Sequence, residues 1–315
     1  MQIGITMKKI RFFGKALFVV LIVFFFCFII IMPQYQYNYQ ASLIDKVERL
    51  ESVQGPKIIL IGNSNLAFGM NSELLEKETG MPVVNMGLHG GVGNVFNEQA
   101  ATLNIDKGDL VIVCHSNYSD DDKIKNPEMA WITIENHLSL WRFMRLKDIP
   151  QMAEAYPTYL RKCIDLWGNE SGNLNTDTVY SRTLFNKYGD VTLERTESQP
   201  DIDFSPVTVP EIADVTVKRL NHLNQEITDQ GGTMVVAGYP IAWYEQAPSK
   251  ESYQAFGQEL DEKLDCPVIS DFTQYCFPKE YFYNTYLHMT NEGADARTRL
   301  LASDIQKYLA NKEAY

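Results

Sequence analysis

Cysteines are few in this sequence, and they form no cluster. The five cysteines are scattered over 315 residues. Their spacings match neither a disulfide framework nor the ligand pattern of a zinc site. We therefore expect no metal site in this chain.

Positive charge is also scarce. The chain carries 28 Lys and Arg against 40 Asp and Glu, a net charge of −12, and no basic stripe with interleaved aromatics follows the N-terminus. Nucleic-acid binding needs clustered Lys and Arg beside the phosphates. We therefore expect no nucleic-acid partner. The ordinary apolar fraction of 45 % indicates a globular chain. The length of 315 residues allows one large domain or two small ones.

The N-terminus is the basic exception. Four basic residues between positions 8 and 15 precede an uncharged apolar run, 16–32, which Pro33 closes. The run has about the minimum length of a membrane-spanning helix. A cleaved signal peptide is the alternative, but its apolar core is shorter and a small-residue cleavage site follows it. We predict that residues 1–33 are a cytoplasmic basic flank and a single-pass membrane anchor, with the rest of the chain outside the cytoplasm.

A short amphipathic segment follows the anchor. Leu43, Val47 and Leu50 occur at helical spacing among charged residues. We predict that residues 34–56 form a stalk, whose apolar stripe packs on the domain or pairs with another copy.

From residue 57, apolar strands alternate with helices. Strands are predicted at 57–62, 83–86, 110–114, 234–237 and 267–270, and helices near 71–79, 94–104, 210–229, 250–264 and 291–309. Near-continuous apolar strands separated by helices indicate a parallel sheet covered on both faces. The sequence thus predicts an α/β domain over 57–315, a three-layer sandwich with a central parallel sheet of about five strands.

Residues 118–209 interrupt this alternation. They carry amphipathic helical stretches and three of the four tryptophans. Long excursions from such a sheet usually leave from the loops at the strand ends. We predict a largely helical insertion that either lies beside the site and selects the substrate or only adds core and covers a sheet edge.

Two residues far apart in the sequence predict nucleophilic chemistry. Ser64 follows the first strand, where ligands of parallel sheets bind, and His288 precedes Thr290, a candidate N-cap of the last helix. An imidazole that takes the proton of a serine hydroxyl makes it a nucleophile. Ser64 as a turn or capping residue is the alternative.

Two further residues end neighbouring strands. Gly87 and Asn117 follow the second and third strands and are candidate oxyanion donors, through the Gly87 N–H and the Asn117 side-chain amide, together with the Ser64 N–H. A tight turn would select the same glycine. His115 is a competing general base.

These residues occur in a familiar chain order. They are Gly62-Asn63-Ser64, Gly87, Asn117 and His288. The order resembles the four blocks of the SGNH/GDSL hydrolase superfamily, and the chain looks closest to its membrane-anchored bacterial branch. The resemblance covers 57 to about 118 and 232 to about 309, and leaves the insertion unmatched.

The resemblance implies a function and a fold. It implies the flavodoxin-like SGNH fold and a Ser–His acyl-enzyme that needs no metal or organic cofactor. Members of this branch often add or remove O-acetyl groups on cell-surface polysaccharides, sometimes beside a membrane-bound O-acyltransferase. An acylated glycan or a small ester is then the expected substrate.

Two departures from the family pattern matter. Asn63 stands where the family usually has Asp, and Asn284 and Thr285 stand where the acidic member of the triad is expected. Three alternatives follow: a Ser–His dyad supported by Asn284, a carboxylate supplied by Asp271, or a chain that has lost hydrolysis. The last would be a catalytically weak or inactive glycan-binding accessory protein.

Overall fold

Four short strands form the central sheet of the computed structural model, which describes residues 2–119, 123–168 and 178–313. In chain order the strands are β1 (Ile58–Ile61), β2 (Val83–Asn85), β3 (Leu110–Val113) and β4 (Thr233–Val236). They lie in the order β2-β1-β3-β4, and every pair is parallel. The predicted α/β class and the parallel sheet are confirmed.

The strands are apolar because both faces of the sheet are buried. Ile59 and Val111 face a core shared with helices on one side, and Ile58 and Ile112 face a second core on the other. Branched side chains at alternating positions fill both cores.

Helices occur where the periodicity predicts them. In chain order they are α1 (Gln2–Phe25), α2 (Ser42–Ser52), α3 (Ser64–Ala67), α4 (Ser72–Thr79), α5 (Asn94–Ala101), α6 (Pro127–Asn136), α7 (Ile149–Leu166), α8 (Asp214–Asp229), α9 (Lys250–Lys263) and α10 (Asn291–Glu313). Local signals set their ends. Asn71 caps α4 by accepting the Leu74 N–H, and Gly80 ends it at φ 71°, a left-handed conformation that favours glycine.

The fifth predicted strand is wrong. Within 267–270 the structure has one isolated bridge, between Val236 and Val268. In this bridge the Val236 N–H donates to the Pro267 carbonyl oxygen and the Ile269 N–H donates to the Val236 carbonyl oxygen, each at 2.9 Å. The pairing with β4 is limited to this one bridge, so the segment does not form a strand.

Two small sheets were not predicted. A parallel pair joins β5 (Ile241–Trp243) to β6 (Cys276–Pro278), and an antiparallel hairpin joins β7 (Phe282–Thr285) to β8 (His288–Met289). The hairpin contains both Asn284 and His288.

Residues 34–56, the predicted stalk, pack on the domain. Leu43, Val47 and Leu50 of α2 are buried in the same core as Ile59 of the sheet. Lys46 is buried with them, and its ammonium donates to two backbone carbonyl oxygens. Of the two alternatives for the apolar stripe, packing on the domain is the one observed.

One helix among the described residues is long and apolar enough to cross a membrane, Lys8–Ile31, with a mean hydropathy of 2.9. It comprises most of α1 and a π-helical turn, Phe26–Ile31. The end of this helix packs on the insertion, where the Phe28 ring stacks on Tyr156 of α7 at 5.1 Å.

The insertion is helical in its first half. It contains α6, α7 and short 3₁₀ turns, and residues 120–122 and 169–177 of it lie outside the described residues. Its second half, from 178, runs in turns and irregular chain that packs against the sheet edge at β2, where the Asn85 N–H donates to the Tyr188 carbonyl oxygen.

Candidate active site

The sheet topology positions Ser64. The chain leaves β1 for β2 on one side and then returns to β3 on the other, so strand order reverses between β1 and β3. Ligands of parallel sheets bind at this point, beyond the carboxyl ends of the strands. Ser64 is the first residue of α3, directly after β1, and Asn63 caps the helix by accepting the Asn65 N–H at 2.9 Å. Asn63 also donates to the Ser116 hydroxyl after β3.

The hairpin β7–β8 brings His288 to the same edge. The Nε2 atom of His288 lies 2.8 Å from Ser64 Oγ, although the two residues are 224 positions apart. Asn284 Oδ1 lies 2.9 Å from His288 Nδ1 and accepts a hydrogen bond from the Nδ1–H group. This tautomer leaves the lone pair on Nε2 facing the serine hydroxyl. Thr285 Oγ1 accepts the backbone N–H of His288 and fixes the turn.

The environment of His288 disfavours its charged form. The ring is 4 % exposed and stacks on Phe68 with centroids 4.1 Å apart. Burial is the main cause that lowers the pKa of His288 to about 3, and the nearby His89 imidazole and Arg195 guanidinium act in the same direction. In a Ser–His–Asp triad a carboxylate would stabilise the imidazolium. Here the neutral Asn284 takes that position.

Asp271 does not supply the missing charge. Its carboxylate accepts from the Thr273 N–H and hydroxyl at the start of a 3₁₀ turn, and it lines a different surface depression from Ser64. The structure therefore brings Asn284, and not Asp271, to His288.

Gly87 is not available as an oxyanion donor. Its N–H donates to Asn85 Oδ1 at 2.9 Å. A Cβ on Gly87 would lie 2.8 Å from both the Asn63 carbonyl oxygen and the Leu66 Cβ. Glycine occurs here because α3 packs directly on the chain after β2. The prediction of Gly87 as an oxyanion donor is wrong because its N–H already donates to Asn85.

Gly90, three residues after Gly87, is a second candidate for the oxyanion donor. It lines the cleft with Ser64, and its N–H donates to no group in the part of the chain that the structure describes. The Ser64 N–H, at the first position of α3, is likewise without an acceptor among those residues. The Gly90-Gly91 pair after the second strand was the sequence signal for this site.

Asn117 lines the same cleft with a fixed orientation. Its Oδ1 accepts from the N–H and the hydroxyl of Ser119, at 2.9 and 2.8 Å. Because the oxygen is held in this way, the Nδ2 protons are left to donate. Asn117 thus joins Ser64 and Gly90 at one edge.

Two buried arginines hold the site together, and sequence reasoning missed both. Arg195, from the end of the insertion, donates to the carbonyl oxygens of Met289 and Phe68, which flank His288 and Ser64. Arg297, on α10, donates to the carbonyl and side-chain oxygens of Asn65. Neither residue stands in a recognisable motif, so no sequence signal marked them.

His115 is not a competing base. Its Nε2 lies 2.7 Å from Glu98 Oε1, and both side chains are buried. Arg219 pairs with the other oxygen of the same carboxylate at 2.9 Å. His115 therefore belongs to a buried polar cluster behind the sheet edge.

The serine opens into a cleft of about 670 Å³. Its walls come from the strand ends and from both ends of the insertion, including Lys125 and the segment 206–211.

A second cavity of about 660 Å³ lies between the chain that follows the N-terminal helix and α6, and His89 lines both cavities. His89 Nδ1 accepts the Gly91 N–H at 3.0 Å, and burial lowers its pKa. It is therefore a neutral donor through Nε2–H.

Comparisons with protein-family models, curated proteins and solved structures found no match to this chain. The arrangement of Ser64, His288 and Asn284 must therefore be interpreted from its geometry. A hydroxyl, an imidazole with its lone pair toward that hydroxyl, and three nearby donors can carry out acyl transfer.

Proposed function

We propose that this chain is an extracytoplasmic serine esterase or O-acyltransferase of the SGNH/GDSL type, with the three-layer fold of that superfamily. Ser64 is the nucleophile, His288 the general base and acid, and Asn284 the residue that orients the imidazole. The contact of 2.8 Å between Ser64 Oγ and His288 Nε2 carries the proposal. It is the geometry expected of a nucleophile and its base.

The reaction has two halves. Ser64 Oγ attacks the carbonyl carbon of an ester while its proton passes to His288 Nε2. The bond to the leaving alcohol then breaks, the alcohol takes the proton from Nε2, and the acyl group remains on Ser64. In the second half, water or a sugar hydroxyl gives its proton to Nε2 and attacks the acyl carbon. The bond from that carbon to Ser64 Oγ then breaks, Nε2 returns the proton to Oγ, and the free acid or the acylated sugar leaves.

The developing oxyanion needs preorganised donors. We assign this role to the N–H groups of Ser64 and Gly90 and the side-chain amide of Asn117, which border one cleft. Gly90 replaces Gly87 in this assignment because the Gly87 N–H already donates to Asn85.

The setting follows from the N-terminal helix and the family resemblance. We propose that the apolar part of the helix Lys8–Ile31, from residue 16 onward, spans the cell membrane once, with the basic residues at 8–15 in the cytoplasm and the domain outside. The substrate is then an O-acylated, most simply O-acetylated, glycan of the cell surface. A membrane-bound O-acyltransferase is the corresponding partner.

A second function is favoured by one observation. His288 has an amide as its partner and a pKa lowered to about 3, so the imidazolium that catalysis requires is poorly stabilised. A catalytically weak or inactive glycan-binding protein would keep the cleft without needing that charge.

Covalent labelling separates the two functions. The full chain in detergent is treated with a fluorophosphonate probe, with Ser64→Ala as the control. An acyl-transfer enzyme is labelled, the label maps to Ser64, and the alanine variant is blank. A folded wild type that takes up no label would favour the binding protein.

A further inference from the structure

Large apolar side chains are exposed in one segment of the domain. Outside the N-terminal helix, most of the exposed large apolar residues lie within 138–167. They are Leu138, Trp141, Leu146, Ile149, Ile164 and Trp167, here called the docking patch. Leu146 is 86 % exposed and Trp167 55 % exposed. Single exposed apolar residues are ordinary, but a concentration of them marks an interaction surface.

The docking patch adjoins the end of the N-terminal helix. Phe28 of that helix stacks on Tyr156 of α7, and Trp131 contacts Phe28 at 6.2 Å and Trp141 at 5.0 Å. Ile149 precedes Tyr156 by seven residues, close to two helical turns, so both lie on the side of α7 that faces the helix end. Two members of the docking patch, Trp141 and Ile149, are therefore linked to the end of the N-terminal helix through the aromatic residues that contact Phe28.

The length of the helix sets the depth of this contact. Lys8–Ile31 contains 24 residues, which at 1.5 Å per residue span about 36 Å. The hydrocarbon core of a bilayer is about 30 Å thick. The basic residues at 8–15 stay on the cytoplasmic side, so only the apolar part, 16–31, about 24 Å long, lies in the core. Because this part is shorter than the core, the helix end and Phe28 do not extend beyond the outer boundary of the hydrocarbon. The first half of the insertion, which packs on Phe28, is then at the same level.

The composition of the segment suits that level. Residues 138–167 carry five Lys and Arg against three Asp and Glu, in a chain with a net charge of −12. Arg142 and Lys147 alternate with the exposed Trp141 and Leu146. Tryptophan and long basic side chains favour the membrane interface, where their apolar parts face the acyl chains and their polar ends face water.

We propose that the first half of the insertion docks on the outer leaflet of the membrane through the docking patch. This inference rests on the proposed N-terminal anchor and not on the acyl chemistry. Lipid is the occupant because the segment that carries the patch packs on the end of the spanning helix, near the outer boundary of the hydrocarbon core. Docking would hold the catalytic domain against the membrane in one orientation.

Tryptophan fluorescence in brominated lipid tests the proposal. The full chain is reconstituted in vesicles of a phospholipid with brominated acyl chains and in matched vesicles without bromine. We expect bromine to quench the wild type, and the double variant W141F/W167F to lose most of that quenching. The variant Trp243→Phe, in the distant pair β5–β6, should keep it. Equal quenching in the wild type and the double variant would overturn docking.

A charge substitution provides a second measurement. The double variant L146E/I149E should weaken quenching of Trp141 and Trp167, because buried carboxylates are costly in lipid. Val215→Glu, at an exposed apolar residue on α8, should change nothing. Carbonate extraction at high pH distinguishes a failure of the proposed membrane anchor from a failure of docking alone. A chain that is extracted overturns the anchor and the docking together. A chain that resists extraction without patch-dependent quenching overturns docking alone, and fluorophosphonate labelling of Ser64 is independent of both.

Discussion

The carboxyl edge of the sheet and the first half of the insertion differ in the side chains that they bury and expose. At the sheet edge, buried polar side chains such as Arg195, Arg297 and Asn65 are joined by hydrogen bonds to backbone groups. On the insertion, apolar side chains such as Leu146 and Ile149 face outward. Internal hydrogen bonds thus hold the side chains at the edge in place, whereas the insertion has a surface suited to an external partner.

The difference explains where single substitutions should have large effects. A buried polar group that loses its partner costs free energy, since water cannot replace the bond. An exposed apolar residue can be changed with little effect on folding. Substitutions at the edge should alter chemistry or stability, and those on the docking patch should alter membrane contact only.

The largest effect on the rate of ester hydrolysis is expected from a negative charge beside His288 at the carboxyl edge of the sheet. Asn284→Asp places a carboxylate beside His288 Nδ1, which stabilises the imidazolium. The opposite change in a serine protease triad lowers kcat about 10⁴-fold, so we expect a gain of about 10³-fold in ester hydrolysis. The pKa of His288 should rise from about 3, and the acid limb of the pH–rate profile should move to higher pH.

Asp271→Asn is the matched control. Because Asp271 binds Thr273 and not His288, this variant should keep the wild-type rate and the wild-type acid limb. An Asn284→Asp variant no faster than wild type would mean that charge does not limit the natural site.

A smaller loss is expected from Asn117→Ala. Removing one side-chain oxyanion donor typically lowers kcat about 10²–10³-fold. Ser119→Ala leaves the amide in place and removes only one of the two donors that orient it, so its loss should be much smaller. Steady-state kinetics with a small acetyl ester measure both. Equal rates for Asn117→Ala and wild type would remove Asn117 from the site.

Two glycines of the same loop should respond differently in stability. Gly87→Ala puts a Cβ 2.8 Å from neighbouring backbone and side-chain atoms, whereas the nearest atom to a Cβ on Gly90 is 3.5 Å away. Overpacking of this kind costs about 1–3 kcal/mol. Denaturant unfolding should show that loss for Gly87→Ala and little change for Gly90→Ala. Equal losses would contradict the packing argument.

The smallest effect is expected at the junction of the two regions. Burial raises the pKa of Glu135, on α6, from 4.5 to about 8, and its carboxylate accepts the N–H groups of Gln34 and Tyr35 after the N-terminal helix. The folded state therefore favours the protonated form. The unfolded chain loses its proton near pH 4.5, so the folded state loses stability as pH rises from 4.5 to 8.

Glu135→Gln should remove this dependence. Gln keeps an oxygen for the two N–H donors but has no proton to lose, so we expect a gain on the order of 1 kcal/mol at pH 8.5 and none at pH 4. Thermal unfolding at the two pH values measures it. A variant less stable than wild type at pH 8.5 would show that the carboxylate is charged and stabilised in the folded state.

Much of the fold was accessible from the sequence. The predicted helices and the first four strands are present because amphipathic periodicity, Gly80 and the apolar runs act locally. The fifth strand is limited to the single bridge between Val236 and Val268, and an apolar run does not show how far pairing with a neighbouring strand extends. The hairpin β7–β8 was missed because its strands are only four and two residues long and most of β7 is half-buried.

The site was accessible in part. Ser64, Asn117 and His288 carry chemistry that residue type and strand-end position reveal, and the structure brings them to one edge. Gly87 was misassigned because its N–H is taken by the side chain of Asn85, two residues earlier. Sequence position does not show which of several glycines has a free N–H.

By itself the sequence determined the order of strands and helices, the apolar N-terminal helix and the residue types able to carry acyl chemistry, because these depend on local pattern and chemical identity. The tertiary structure alone decided that Asn284 is the partner of His288, that Arg195 and Arg297 hold the site, and that 34–56 packs into the core. These facts depend on contacts between residues distant in the chain, which folding brings together and no local pattern encodes.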